Sequence, residues 1–166
     1  MSDLQPASTP ASVELRKVYP ADLPVFFEHQ LDQQANHMAA FTAKDPANRA
    51  AFDRRWEKIL ADPGITVRTI QYQGQIAGSI VCHSWFGDPK IGYWLGVDFW
   101  GRGIASQALE AFLTLVPDRP LYARVARDNL ASVRVLEKCG FHNSGVEVGF
   151  ANARGMEIEE LIDKLG

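Results

Sequence analysis

The sequence predicts one domain of mixed α/β (α+β) class, with helices on both faces of a largely antiparallel sheet. Three observations carry that expectation. A chain of 166 residues, 46% hydrophobic and 22% charged, is long enough for one well-buried core and short for two. Strand-like stretches follow one another from Ile65 to Val97 with only short turns between them, so each pairs antiparallel to the last. Helical stripes lie before and after that block.

Met1 to Ser12 holds Pro6, Pro10, three serines and a threonine but no positive start and no apolar run. It is read as a disordered tail, neither signal peptide nor anchor, and the domain is expected over 13–166. Val13 to Val18 alternates as a weak first strand, which Tyr19-Pro20 breaks. From Ala21, Leu23, Phe26, Phe27 and Leu31 share a helical face. Gln33 to Pro46 has little periodicity and is read as a loop or short helix. A second helix is expected over about 46–60, carrying Phe52, Trp56, Ile59 and Leu60, and Asp62-Pro63-Gly64 stops it.

Ile65–Tyr72 and Gln75–Trp85 form a hairpin about Gln73-Gly74, and Gly87-Asp88-Pro89 turns the chain into a third strand, Lys90–Val97. Gly103–Val116 carries Ile104, Ala108, Phe112 and Leu115 on one stripe until Pro117 ends it. Leu121–Ala126 is the next strand. Asn129 is placed to cap a helix that Gly140 closes. The tail is ambiguous, because Ile158, Leu161, Ile162 and Leu165 have helical spacing.

A formal charge of −3 and a pI near 5.8 give no reason to expect nucleic acid or an anionic membrane surface as the main partner. No stretch approaches the roughly 20 apolar residues that span a bilayer. Two cysteines, Cys82 and Cys139, imply neither a disulfide framework nor a zinc site, and no metal is expected. The cytoplasm is the default compartment.

Between strand and helix lies Val97-Asp98-Phe99-Trp100-Gly101-Arg102-Gly103-Ile104-Ala105-Ser106. Successive N–H groups at a helix N-terminus can converge on one phosphate, and two glycines leave the approach open. An ordinary strand-to-helix connection remains the alternative. A Walker A loop is disfavoured, since Gly96 and Gly101 have its spacing but Arg102-Gly103 follows where Lys-Ser/Thr is needed. A Rossmann fingerprint would need a third glycine at Ser106.

Ile91-Gly92-Tyr93-Trp94-Leu95 followed by Phe99-Trp100-Gly101-Arg102-Gly103-Ile104-Ala105 resembles the acetyl-CoA signature of the GNAT N-acetyltransferases. The likeness is greatest to the branch that acetylates ribosomal-protein N-termini (Rim-type). Trp100 stands at the first position of the Gln/Arg-x-x-Gly-x-Gly/Ala pattern, as Rim-type sequences often have it. Asn129 to Phe141 resembles the family's next helix and its Gly-Phe ending. The resemblance covers about Val67 to the end and implies that the tail is a strand, paired with one near Phe141–Phe150.

It further implies acetyl-CoA as cosubstrate and a primary amine, a protein N-terminus or a small molecule, as acceptor. A homodimer is left open. The amides from Trp100 to Ser106 (Gly101, Arg102, Gly103, Ile104 and Ala105 between them) would hold the CoA pyrophosphate. The main chain of Leu95, Gly96 and Val97 would pair with the pantetheine arm and polarise the thioester. Asn129 and Ser132 would flank the arm.

Many family members place a tyrosine acid four residues before the Gly of Gly-Phe; here that residue is Leu136, which cannot donate a proton. Tyr93, on a strand face with Leu95 and Val97, is the candidate catalytic residue, while the other strand position that members use for a base is Ile91. Glu28, His29, Asp32 and His37, in the segment that shapes the acceptor pocket, and His83 could bind or deprotonate an amine. Ordinary polar surface is the alternative for each. The rival reading of the whole is a CoA-binding module without catalysis, as Leu136 suggests.

Overall fold

The computed structural model describes residues 12–166; the tail read over 1–12 lies outside them except for Ser12. Strand β1 (Val13–Arg16) leads through a 3-10 turn at Pro20–Asp22 into helices α1 (Leu23–Leu31), α2 (Gln33–Ala39) and α3 (Arg49–Ala61). Strands β2 (Thr66–Tyr72), β3 (Gln75–His83) and β4 (Lys90–Leu95) follow, then α4 (Ile104–Leu115), β5 (Leu121–Ala126), α5 (Leu130–Lys138), β6 (His142–Ala151) and β7 (Met156–Leu165). The seven strands form one sheet in the order β1-β2-β3-β4-β5-β7-β6. Every neighbouring pair is antiparallel except β4 and β5.

Two apolar layers sandwich the sheet. On one side Ile104, Ala108, Leu109 and Phe112 of α4, with Leu136 of α5, bury against Ile70, Ile80, Ile91, Leu95 and Leu121. On the other, Phe26 of α1 and Phe52, Trp56 and Ile59 of α3 pack with Val18 and the partly buried Val67 and Ile76. A buried carboxylate ties β1 to the turn before α1. Asp22, 2% exposed, accepts both Arg16 guanidinium nitrogens (2.7 and 2.9 Å), the Tyr19 N–H (2.9 Å) and the Thr69 hydroxyl (2.7 Å).

One expectation changes. The third strand stops at Leu95, because Val97–Phe99 winds into a 3-10 turn closed by N–H bonds from Phe99 to Gly96 and from Trp100 to Val97. Tyr93 therefore shares its strand face with Leu95 but not with Val97. Of the two readings left open after Gln33, the short helix is the one that forms, and Asp32 caps it by accepting the Ala35 N–H at 2.8 Å.

Candidate active site

Strands β4 and β5 run parallel yet pair only at Lys90 and Tyr122. Beyond that pair they separate, and a gap opens between their C-terminal ends. Main-chain groups of β4 that face away from β3 have no neighbouring strand there, so they are available to a ligand. The carbonyls just beyond are engaged: Trp100 Nε1 donates to Leu95 (3.2 Å), Phe99 N–H to Gly96 (2.9 Å) and Trp100 N–H to Val97 (3.1 Å). The Gly96 N–H is spent as well, on the Ala77 carbonyl at 2.9 Å, so any N–H offered to a thioester oxygen comes from its neighbours in this stretch.

The loop after β4 places Gly101 and Gly103 at φ of +73° and +74°. These are left-handed conformations that a side chain resists. A Cβ at Gly101 would meet nothing within 4 Å, so this face of the loop is open. Gly103 caps α4 without a side chain, and Gln107 N–H makes the first return bond, to Gly103 at 3.2 Å. The N–H groups of Ile104, Ala105 and Ser106 are left without helical partners, which makes an anion cradle.

A cavity of about 280 Å³ runs from Trp100, Gly101 and Gly103–Ser106 to Leu95, Tyr93, Asn129 and Ser132. Three of the expected donor-site residues do not line it. Gly96 is packed under the His29 imidazole, where a Cβ would come within 2.6 Å of Nε2. Val97 is in the turn, and Arg102 is exposed with its guanidinium 6.0 Å from the Phe99 ring centroid.

Asn129 caps α5, its Oδ1 accepting the Ser132 N–H at 3.4 Å. The Tyr93 hydroxyl donates to Ser132 Oγ at 2.9 Å. Burial pushes the Tyr93 phenol above its ordinary value, more than the hydrogen bond with Ser132 draws it down. It stays protonated through neutral pH and can donate.

A larger cavity of about 620 Å³ lies on the opposite side of the gap. Tyr93, Trp94, Asn129 and Ser132 line both cavities, so the two meet there. The wall of the larger one is formed by Phe52, Arg55, Trp56 and Ile59 of α3, together with Phe26, His29, Asn36 and Thr42. Among the described residues, three buried side-chain polar atoms have no hydrogen-bond partner: His29 Nδ1, Asn36 Oδ1 and Thr42 Oγ1. All three belong to residues that line this cavity.

Asn36 is oriented by its own amide, whose Nδ2 donates to the carbonyls of Gln30 (2.6 Å) and Asp32 (2.8 Å). Its oxygen is thus left as a pure acceptor. Burial holds the His29 imidazole below the ordinary histidine value, against the opposing pull of Glu28 and Asp98. It is neutral at pH 7 and can accept a proton.

Of the five expected acceptor-side residues, His29 and His83 line the larger cavity, whereas Glu28 and His37 are exposed and line neither. Asp32 is occupied as the cap of α2. Asn36 and Thr42 escaped the sequence reading because they lie in the stretch without periodicity. Among the described residues no group of three or more His, Cys, Asp and Glu is placed to hold a metal, and no helix is long and apolar enough to cross a membrane.

The chain is similar to an uncharacterised N-acetyltransferase, p20, of Bacillus licheniformis, 32% identical over 78 residues. That match spans 44% of this chain and less than half, 43%, of the relative. Among solved structures, RimJ of Mycobacterium smegmatis in complex with CoA-disulfide superposes with a TM-score of 0.75 at 22% identity, covering 95% of this chain and 85% of that one. Spermidine N-acetyltransferase of Vibrio cholerae in complex with CoA and spermine superposes at 0.73 and 17% identity, covering 91% and 94%. These likenesses establish the fold. A sequence profile of the acetyltransferase (GNAT) domain matches residues 12–142, most of the chain, and the protein belongs to that family.

Proposed function

We propose that this protein is an N-acetyltransferase that moves the acetyl group of acetyl-CoA to a primary amine. The observation that carries the reading is the meeting of two cavities at Tyr93, Asn129 and Ser132, one floored by an anion cradle and the other lined by the neutral His29 imidazole. The N–H groups of residues 101–106 take the CoA pyrophosphate, and the arm runs through the gap beside β4 to present the thioester at Tyr93. The acceptor enters from the larger cavity, whose lining includes His29, Asn36 and Thr42.

The amine nitrogen attacks the thioester carbonyl carbon, and the oxygen's developing charge is met by main-chain N–H at the end of β4. The carbon–sulfur bond then breaks. His29 accepts the proton that the amine loses, and Tyr93 gives one to the departing thiolate. A proton returned from imidazolium to phenolate through solvent restores both groups. Tyr93 fills the role that Leu136 cannot, since Leu136 is 3% exposed and contributes only an apolar wall.

The test is amine-dependent thiol release from acetyl-CoA, with the acetylated amine confirmed by mass. Thiol release that requires an amine is the expected result. Tight acetyl-CoA binding without release for any amine or peptide N-terminus would instead identify a binding module, the reading that Leu136 favours.

A further inference from the structure

We propose that the end of the larger cavity away from the donor is a subsite for an anionic group of the acceptor, formed by Arg55, Lys90 and His83. The acceptor is thereby a primary amine that also carries a carboxylate or phosphate. This inference rests on the acetyl-transfer reading and names the substrate class for that site.

Arg55 lines the cavity beside the buried Phe52, Trp56 and Ile59 of α3, three residues after Phe52 and four before Ile59, and is itself exposed to solvent. No carboxylate stands three or four residues from it on the helix to neutralise it: those positions are Ala51, Phe52, Lys58 and Ile59. Lys90 and His83 are direct cross-strand partners on β4 and β3. Their side chains therefore leave the same face of the sheet, and both line the cavity with Arg55. The charges are close enough to act on one another, since burial and then the cations of Arg55 and Lys90 hold His83 below its ordinary value.

Neither Arg55 nor Lys90 takes part in an ion pair among the described residues. The acids nearest in sequence, Asp88 to Lys90 and Asp53 and Glu57 to Arg55, are exposed and outside the cavity lining, and Asp53 is paired with Arg49. The one carboxylate in the lining, Glu160, is bound to Arg124 at 2.8 Å. A polycation would meet two uncompensated positive charges there. An anion would meet charge-assisted donors there, from the half-buried Lys90 and the exposed Arg55. Lys90 precedes Tyr93 by three residues of strand, about 10 Å, so amine and anion are held at opposite ends of one small molecule.

The experiment compares kcat/KM for 5-aminopentanoate, O-phosphorylethanolamine, pentylamine and 1,5-diaminopentane. The first two separate carboxylate from phosphate as the preferred anion. At least one of them is expected to exceed pentylamine by about tenfold or more, with the diamine poorest. In Arg55→Ala the ratio of the preferred anionic acceptor to pentylamine should collapse, and Arg55→Lys should restore part of it. Arg54→Ala, one position away on α3 and outside the cavity lining, should leave the ratio as it is.

Equal use of all four amines, preference for the diamine, or a ratio unmoved in Arg55→Ala overturns the subsite while leaving acetyl transfer standing. Should no amine be turned over, the transfer reading fails separately. Calorimetry of the CoA-loaded protein then decides the subsite. Tighter binding of an anionic amine than of pentylamine, lost in Arg55→Ala, supports it, and equal binding refutes it.

Discussion

At the scale of single residues, the site depends on groups whose environment fixes their protonation. Tyr93 is a phenol kept protonated by burial and held by Ser132, so Tyr93→Phe should lower kcat about tenfold to a hundredfold, within the range of one general acid. A thiol with pKa near 8.5 leaves tolerably well without help, which bounds the loss. Acetyl-CoA affinity should not change. An unaltered kcat where chemistry limits the rate would remove Tyr93 from the mechanism.

His29 makes a second prediction: the acidic limb of kcat/KM should fall below the usual histidine range of about 6.5 and vanish in His29→Gln. A limb that survives this change would exclude His29 as the base. Thr42 makes a third. Its hydroxyl is buried without a partner, so Thr42→Val should leave stability unchanged or slightly raised without touching acetyl-CoA binding. Loss of stability would show that the hydroxyl is satisfied within the fold. Nothing in the sequence marks Thr42 or Asn36, because an unpaired buried atom exists only once separate elements enclose it.

At the scale of elements, the tail shows how a pattern can mislead. Ile158, Leu161, Ile162 and Leu165 have the i, i+3, i+4, i+7 spacing of a helix, yet they lie on β7. Leu161 and Leu165, four apart, join the core on one face, and Ile158 packs elsewhere with Ala40, Ala126 and Ala151. Two faces, each with a spacing of four, reproduce a helical period. The end of β4 was misjudged for a different reason. Alternation continues to Val97, and only the turn bonds of Phe99 and Trp100 end the strand.

The glycine loop was legible because left-handed positions and a helix start are local features. Gly103→Val should weaken acetyl-CoA binding at least tenfold, about 1.4 kcal/mol, through lost conformation and added bulk together. Gly103→Asn, which tolerates a left-handed φ, should lose less. Unchanged binding in both folded variants would contradict the cradle.

The junction of β1 with the first helical turn carries a pH prediction. Burial pushes the Asp22 carboxyl up, but bonds from Arg16, Tyr19 and Thr69 and the Arg16 charge bring it below its ordinary value. Its stabilisation is therefore complete above about pH 3.9, where the unfolded carboxyl ionises. It is lost as pH falls through the lower folded value. Asp22→Asn should cost about 2 kcal/mol at neutral pH and flatten the acid limb of the stability curve. Parallel curves for wild type and variant would show that Asp22 titrates alike in both states.

At the scale of the molecule, function follows from one irregularity in the sheet. The parallel pair β4 and β5, held at Lys90 and Tyr122 alone, opens a slot between the cavity on the α4 side, proposed for the donor, and the larger cavity on the α3 side, proposed for the acceptor. The donor half was readable as motif because backbone chemistry imposes glycines at fixed spacing. The acceptor half was not, since α1, α2, α3 and the strands contribute one residue at a time from distant parts of the chain.

The most direct test of the account is a crystal structure with CoA bound. It should place the pyrophosphate on the N–H groups of residues 101–106 and the sulfur within hydrogen-bonding reach of the Tyr93 hydroxyl, with the larger cavity open to the acetyl position. CoA bound with its sulfur away from Tyr93, or with its pyrophosphate off the α4 N-terminus, would contradict it.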